Sequence, residues 1–483
     1  MSDPVIHIME PTACSVYGHH FVYCERAAEF FYLRGYDTVS YFAWRGGGDR
    51  ELRERARRAK FTFQFRYGRA FERCYGGDIL DTDPIERVSV RRAKQAIQEA
   101  DSTATIEQEN MLWRLRYDMD TVTGDYAFSD AETLTLEEAS DDIAEWIRLL
   151  RLNYHNRNNV LFLPTGEFFL FHALIEKVGD LAGRVGQIHI RMWNFLSLER
   201  NGANLVNLAF KLQRVAAEQG VSVFLYAETD WACRHLALRS STPVGYLDIN
   251  SFSEISIDDA LQESAARSRS EPPERLRVFF PGSYRRFPDK GLGFLRELLL
   301  QAPFPAHLQI VIQEPDYRAV RIAPETLSAN PQVTVLPRIL DDGAYQAEFK
   351  LADIICTPYD HVTWPDQFRG SGVILEALLA AKPTIVTANT PLARYAETYE
   401  IGVVGDCAQF LKLTRDFDLE RQFKQAAENA RKYAGTLARN PMLETLPPPL
   451  GPGMLRFIDD QQQSPAANGL SEGGEAMRLV SRL

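Results

Sequence analysis

The stretch LADIICTPYDHVTWPDQFRGSGVILEALLAAKPTIVT, residues 351–387, reads as a complete βαβ unit. Asp353-Ile354-Ile355-Cys356-Thr357 is a short apolar run ended by Pro358, which predicts a buried strand. A polar loop follows, and Gly370-Ser371-Gly372 then opens a helical run, Val373 to Ala381, that Lys382-Pro383 stops. Thr384 to Thr387 is the next strand. A helix start presents unpaired N–H groups and the positive end of a dipole, so the Gly370 to Val373 segment is suited to hold phosphate. Glycine there lets a ligand come close to the backbone. Glu376 lies four residues after Gly372 and three after Val373, hence on the same helix face, one turn in. A carboxylate repels phosphate but accepts hydrogen bonds from a pair of sugar hydroxyls. The alternative reading of Glu376 is a solvated helix glutamate. Its apolar neighbours Ile374, Leu375, Ala377 and Leu378 favour a buried helix and a functional role.

Upstream, Leu276 to Phe280 is a strand feeding the loop Pro281-Gly282-Ser283-Tyr284-Arg285-Arg286-Phe287-Pro288-Asp289-Lys290-Gly291. Leu292 to Gln301 predicts a helix, Leu308 to Gln313 and Val333 to Leu336 strands, and Tyr345 to Leu351 a helix. Downstream, Pro391 to Tyr399 is helical, and an amphipathic helix at Leu419 to Ala434 is expected to pack back across the first domain. Together these make a C-terminal Rossmann-like domain, residues 276–440.

The N-terminal half repeats the alternation. Val5 to Met9 is a strand, Tyr17-Gly18-His19-His20 a turn, Phe21 to Leu33 a helix closed by Gly35, and Thr38 to Phe42 a second strand. No G-x-G-x-x-G follows the first strand, so no dinucleotide cofactor is expected. Residues 46–158 change in character. With helical patterns at Arg91 to Ala100 and Glu132 to Leu152, they read as a helical insertion. Strands at Val160 to Leu163, Gln187 to Met192, Ser222 to Tyr226 and Pro243 to Leu247 alternate with helices at Phe168 to Lys177, Asn204 to Glu218 and near Trp231. They complete a first domain of residues 1–250. The polar stretch 251–275 reads as a linker. Residues 441–483, rich in Pro, Gln and Gly, read as a disordered tail.

Composition narrows the class. A chain of 483 residues has room for two or three domains. A net charge of −11 argues against a protein built for nucleic-acid backbones. Six cysteines with no C-x-x-C pair read as reduced thiols, which points to the cytoplasm. No apolar run approaches the roughly 20 residues that span a bilayer, so no transmembrane segment is expected.

Two Rossmann-like domains joined by a linker make a cleft at the carboxyl ends of their strands. Arg285 and Lys290, five residues apart in the loop after Phe280, are placed to neutralise a diphosphate from one side while the glycine-led helix start takes the other. Viewed alone, that charge pair is more often a solvated loop; its pairing with the glycine-led helix start favours the functional reading. Asp81-Thr82-Asp83 reads as a loop or N-cap, and no metal is assigned. His20, beside Gly18 at the start of the first helix, is a candidate to orient an acceptor or move a proton. His7, His19 and His189 are weaker candidates, His189 sharing a strand face with Arg191.

GSYRRFPDKG, LADIICTPYD and RGSGVILEALLAAKPTIVT, in that order and spacing, resemble the donor half of GT-B glycosyltransferases, notably glycosyltransferase family 4. The likeness spans residues 276–405. It extends more weakly to the Gly18 loop and to FLYAETDWACRHLALRSSTPVGYL, residues 224–247. The resemblance implies an α/β GT-B architecture and metal-independent, retaining transfer of a sugar from a nucleotide-diphosphate donor. The acceptor, a glycan, lipid-linked, small-molecule or protein one, stays open. It implies that Arg285 and Lys290 hold the diphosphate. Gly370, Ser371, Gly372 and Val373 would contact phosphate or sugar, Glu376 the ribose hydroxyls, and Gly18 the reaction centre; Gly282 belongs to the same donor loop. The sequence departs from the family at Phe368, eight residues before Glu376, where another glutamate is usual; Tyr359 and Arg369 are possible substitutes. A catalytically inactive GT-B protein that binds a sugar nucleotide or partner, and a sugar-nucleotide epimerase, are the alternatives.

Overall fold

The computed structural model describes residues 4–10, 19–43, 62–66, 126–127, 133–134, 143–144, 146–147, 159–166, 168–192, 199–253, 257–269, 274–282, 291–301, 303–315, 317, 322–337, 340, 342–359, 371–405 and 407–448. Gly18, Arg285, Lys290, Gly370, the Asp81-Thr82-Asp83 triplet, Phe368, Arg369 and the tail from residue 449 lie outside them. The chain forms two compact units, Met1–Ser253 with Asn440–Leu483, and Glu254–Arg439.

The first unit contains β1 (Val5–Glu10), α1 (His19–Tyr32), β2 (Asp37–Ala43), β3 (Thr62–Arg66), β4 (Tyr126–Ala127), β5 (Thr133–Leu134), β6 (Asn159–Leu163), α2 (Phe168–Leu181), β7 (Val185–Met192), α3 (Glu199–Glu218), β8 (Ser222–Ala227), α4 (Asp230–Ala237) and β9 (Val244–Tyr246). Seven strands form one parallel sheet in the order β3-β2-β1-β6-β7-β8-β9. β4 and β5 pair antiparallel by themselves. Here the expectation of a purely helical insertion over 46–158 is corrected: β3 lies within it and forms the sheet edge beside β2. Thr62-Phe63-Gln64-Phe65-Arg66 alternates polar and aromatic residues at strand period, but its charged flanks hid so short a run.

The second unit contains α5 (Asp258–Arg267), β10 (Leu276–Phe280), α6 (Leu292–Leu299), β11 (Leu308–Gln313), α7 (Pro324–Ser328), β12 (Val333–Leu336), α8 (Asp342–Leu351), β13 (Ile354–Thr357), α9 (Gly372–Leu379), β14 (Thr384–Thr387), α10 (Pro391–Thr398), β15 (Gly402–Gly405), α11 (Cys407–Arg415) and α12 (Leu419–Leu437). Its sheet is also parallel, in the order β12-β11-β10-β13-β14-β15. Alternate residues of these strands fill two separate cores, as the two-residue strand period requires. Val278, Phe280, Ile310, Ile312, Ile354 and Cys356 pack with Leu295 and Leu298 of α6 and Phe410 of α11. Phe279, Val311 and Ile355 pack on the other face with Phe349 of α8 and Ala377 of α9. Burial on both faces is why these strands read as continuous apolar runs.

Structure also occupies the stretches read as linker and tail. α5 is fastened to the second unit by Arg267–Asp353 at 2.8 Å and Lys382–Glu263 at 2.6 Å. Lys382 Nζ also donates to the carbonyls of Lys350 and Ala352, at 2.7 and 3.0 Å. α12 packs on α5 and α9 of its own unit, with Ala427 and Ala430 against Ala260, Leu261 and Ala381. Small residues on that face let the helices approach closely. α13 (Pro441–Thr445) returns the chain to the first unit, where Met442 and Leu446 enter the core beside Phe252. Asn440 caps α13 and donates from Nδ2 to Ser251 O at 2.9 Å.

Candidate functional site

In a doubly wound sheet, ligands gather at the carboxyl ends of the strands where the order reverses. In the second unit that reversal lies between β10 and β13, whose neighbouring register includes Val278↔Ile354 and Phe279↔Ile355. Both sequence segments singled out above leave the sheet there. Gly282, two residues after β10, holds φ 108°. Its N–H donates to Oε1 of Gln313, the last residue of β11, which fastens the entry to the loop of residues 283–290. The loop leaves through Gly291, at φ 99°, packed so tightly that a Cβ there would lie 2.3 Å from the carbonyl oxygen of Pro358. Pro358 directly follows β13. The segment that carries Arg285 and Lys290 thus begins and ends at the reversal point. Thr357, the last residue of β13, is buried there, and its hydroxyl has no hydrogen-bond partner among the described residues.

The contact at Gly291 makes a direct prediction. Alanine at this position meets both a left-handed backbone and a carbonyl it cannot displace cheaply, so Gly291→Ala is expected to destabilise the second unit by about 2–4 kcal/mol. A lowered melting temperature with weakened nucleotide binding checks it; a variant with unchanged melting would mean that the Gly291–Pro358 approach is loose.

α9 begins at the same edge. Ser371 is its N-cap in extended backbone, yet among the described residues no side chain caps the first turn, and no acidic residue lies in that turn. α4, α10 and α12 are capped by Thr229, Thr390 and Asp418, whereas α5, α6 and α7, like α9, have no side-chain cap hydrogen bond. The amides of Gly372 and Val373 therefore begin a helix with the polarity that suits an anion. Glu376, half-buried one turn in, has its Oε2 fixed by the Tyr345 hydroxyl of α8, which donates to it at 3.0 Å. Tyr359 is buried beside the end of β13.

The first unit has its own reversal, between β1 and β6, and a charged cluster that sequence reading missed. Glu10 ends β1, is buried, and accepts from the Thr165 hydroxyl at 2.7 Å. Arg191, near the end of β7, donates from Nη1 to Glu228 Oε1 at 2.7 Å and from Nε to the Pro164 carbonyl at 2.9 Å. Its guanidinium carbon stands 4.2 Å over the Tyr23 ring. Burial disfavours the charge on Arg191, but Tyr23, Glu228, Glu10 and Asp248 around it push its pKa up. The Glu228 side chain keeps 10% of its surface exposed, against 1% for Arg191. Glu228 directly follows β8 and so presents the one partly open carboxylate of this ion pair at the sheet's carboxyl edge. A sequence signal existed, in charged residues that close apolar runs (IHIME, IHIRM, FLYAE), but a charge at a strand end is also a common solvated terminus.

The histidines divide. His189 is buried, stacked on Phe224 and Tyr226, and Tyr226 donates to its Nδ1 at 2.8 Å. Gln187 donates from Nε2 to Thr445 O at 2.8 Å, which turns its Oε1 toward His189 Nε2 at 3.0 Å and assigns the ring proton to Nε2. Burial lowers the His189 pKa to about 3, so the ring is a neutral packing element. His7 is likewise pushed down to about 3 by burial and meets Trp146 edge-on. His19 and His20 open α1. Among the described residues no group of three or more His, Cys, Asp or Glu is placed to hold a metal ion. No described helix is long and apolar enough to cross a membrane.

Two parallel sheets with flanking helices in one chain, each reversing at its first strand, are the GT-B fold. Solved structures share it across nearly the whole chain. The α,α-trehalose-phosphate synthase (UDP-forming) of Burkholderia vietnamiensis matches with TM-score 0.53 and 11% identity, over 96% of this chain and 100% of its own. HepE of Anabaena in complex with UDP matches with TM-score 0.50 and 11% identity, over 92% and 98%. Sucrose-phosphate synthase of Thermosynechococcus elongatus gives the same values, 0.50, 11%, 92% and 98%. At such identity the likeness establishes the fold. No protein-family model and no curated protein matches the sequence.

Proposed function

We propose that the chain is a glycosyltransferase of the family 4 type, moving a sugar from a nucleotide-diphosphate donor held by the second unit to an acceptor held by the first. One observation carries the reading: the Arg285/Lys290 loop is entered after β10 and left against Pro358 after the neighbouring β13, and α9 is the helix that follows β13. A diphosphate there takes N–H groups from Gly372 and Val373 and cations from Arg285 and Lys290, while Glu376 accepts from the ribose hydroxyls. Charge-assisted hydrogen bonds of this kind contribute roughly 1.5–3 kcal/mol each. They act hardest on the leaving diphosphate, whose negative charge grows as the glycosidic bond breaks. On the same reading His20 and Gly18 serve the acceptor, and the retaining outcome and cytoplasmic setting belong to it. Uridine diphosphate is the first donor nucleotide to try, because the Burkholderia synthase is UDP-forming and HepE was solved with UDP.

A thermal-shift series with UDP, GDP, ADP and TDP tests the proposal. A ligand at about 100 times its Kd stabilises the native form by about 2.7 kcal/mol, so at least one is expected to raise the melting temperature by several degrees. No shift with any of them would overturn the reading. Binding without nucleotide release from any sugar donor would favour the inactive binding protein, the alternative that Phe368 supports.

A further inference from the structure

Glu376 is held by a residue from outside its own helix. Tyr345 lies in α8, and its ring rests on two aromatic neighbours of the apolar core: Phe279, with centroids 6.2 Å apart at 63°, and Phe349, 5.1 Å apart at 50°. Phe279 and Phe349 are buried and themselves meet edge-on at 5.9 Å. Ala377, the residue after Glu376, packs into the same cluster, so its small side chain brings α9 close to that aromatic floor. The phenol is thus confined by packing, and its hydroxyl donates to Glu376 Oε2 at 3.0 Å.

A glutamate head group carried on three rotatable bonds loses entropy whenever a ligand fixes it. A hydroxyl that fixes it beforehand removes part of that cost. The stoichiometry also fits: an ionised carboxylate accepts up to four hydrogen bonds, so the single tyrosine O–H sits alongside the two that a vicinal diol donates. We infer that Tyr345 is a positioning residue, setting the Glu376 carboxylate to receive the 2′- and 3′-hydroxyls of a ribonucleoside diphosphate and so making the second unit select ribose over deoxyribose. The inference rests on the proposed placement of the donor at α9. It extends that placement by assigning the sugar selectivity of the nucleotide to a hydroxyl on a different helix.

Tyr345→Phe tests it, since phenylalanine keeps both ring contacts and removes only the hydroxyl. The quantity to measure is the ratio of Kd for 2′-deoxy-UDP to Kd for UDP, by calorimetry on the full chain, in the wild type, Tyr345→Phe, Glu376→Ala and the double variant. The wild-type ratio is expected well above one. In Tyr345→Phe it falls by about three- to tenfold, and the double variant falls no further than Glu376→Ala alone, because the two side chains act as one unit. A tyrosine that merely packs would leave the ratio at the wild-type value in Tyr345→Phe while Glu376→Ala collapses it, and that result overturns the inference alone. A wild type that binds UDP and 2′-deoxy-UDP equally removes both the Glu376 assignment and the role of Tyr345.

Discussion

Alanine in place of Lys290 is expected to slow nucleotide release from the sugar donor by about tenfold to a hundredfold, with the melting temperature unchanged. Lys290 is joined directly to Gly291, whose backbone lies against the Pro358 carbonyl at the end of β13. An ammonium acting on the departing diphosphate contributes more as negative charge accumulates, so the loss should appear in kcat as well as in kcat/KM. Arg285→Ala should behave alike. The double variant should lose less than the product of the two single losses, because on the proposed reading both cations serve one diphosphate. Lys290→Ala with wild-type kcat and wild-type UDP affinity would remove the clamp from the mechanism.

The second large effect concerns stability. Arg191→Ala is expected to cost about 3–5 kcal/mol, the usual consequence of leaving buried carboxylates without their cation. Glu228 loses its 2.7 Å partner, and the Pro164 carbonyl loses the Nε donor. Glu10, whose negative charge also faces the guanidinium, loses a compensating cation. Replacing the pair together, as Arg191→Met with Glu228→Met, removes both charges and should cost much less. Amide hydrogen exchange across β7 and β8 reads the difference locally, which suits a chain of two units whose global unfolding need not be a single step. Equal protection in Arg191→Ala and the double replacement would show that the carboxylates find other partners and that the ion pair is not what orders this edge.

Much of the second unit was legible because its strands are buried on both faces and its helices end at strong stop signals. Ile354 to Thr357, Gly372 to Leu379 and Thr384 to Thr387 fall within two residues of the expected bounds. β15 escaped because Gly402-Val403-Val404-Gly405 is four residues long with glycine at both ends. α5 escaped because its composition is that of a linker: of its ten residues only Ser264 is buried, and two ion pairs hold it to the unit. α13 escaped because a proline-flanked helix of five residues has no periodicity to read, and its place is decided by Met442 and Leu446 entering a core built elsewhere in the chain.

Local order, then, was settled by the amino-acid sequence alone: apolar runs, glycine and proline punctuation and the spacing from Gly372 to Glu376 each act over a few residues, where side-chain identity dictates backbone preference. Which distant groups meet was left to the tertiary structure. Tyr345 and Glu376 are 31 positions apart, Arg191 and Glu228 are 37 apart, and Gly291, at the end of the loop after β10, reaches Pro358 at the end of the neighbouring strand β13. Such pairs arise from strand order and helix packing. Parallel sheets bring the carboxyl ends of separated strands to one edge, and no local pattern in the chain records which side chains will share it.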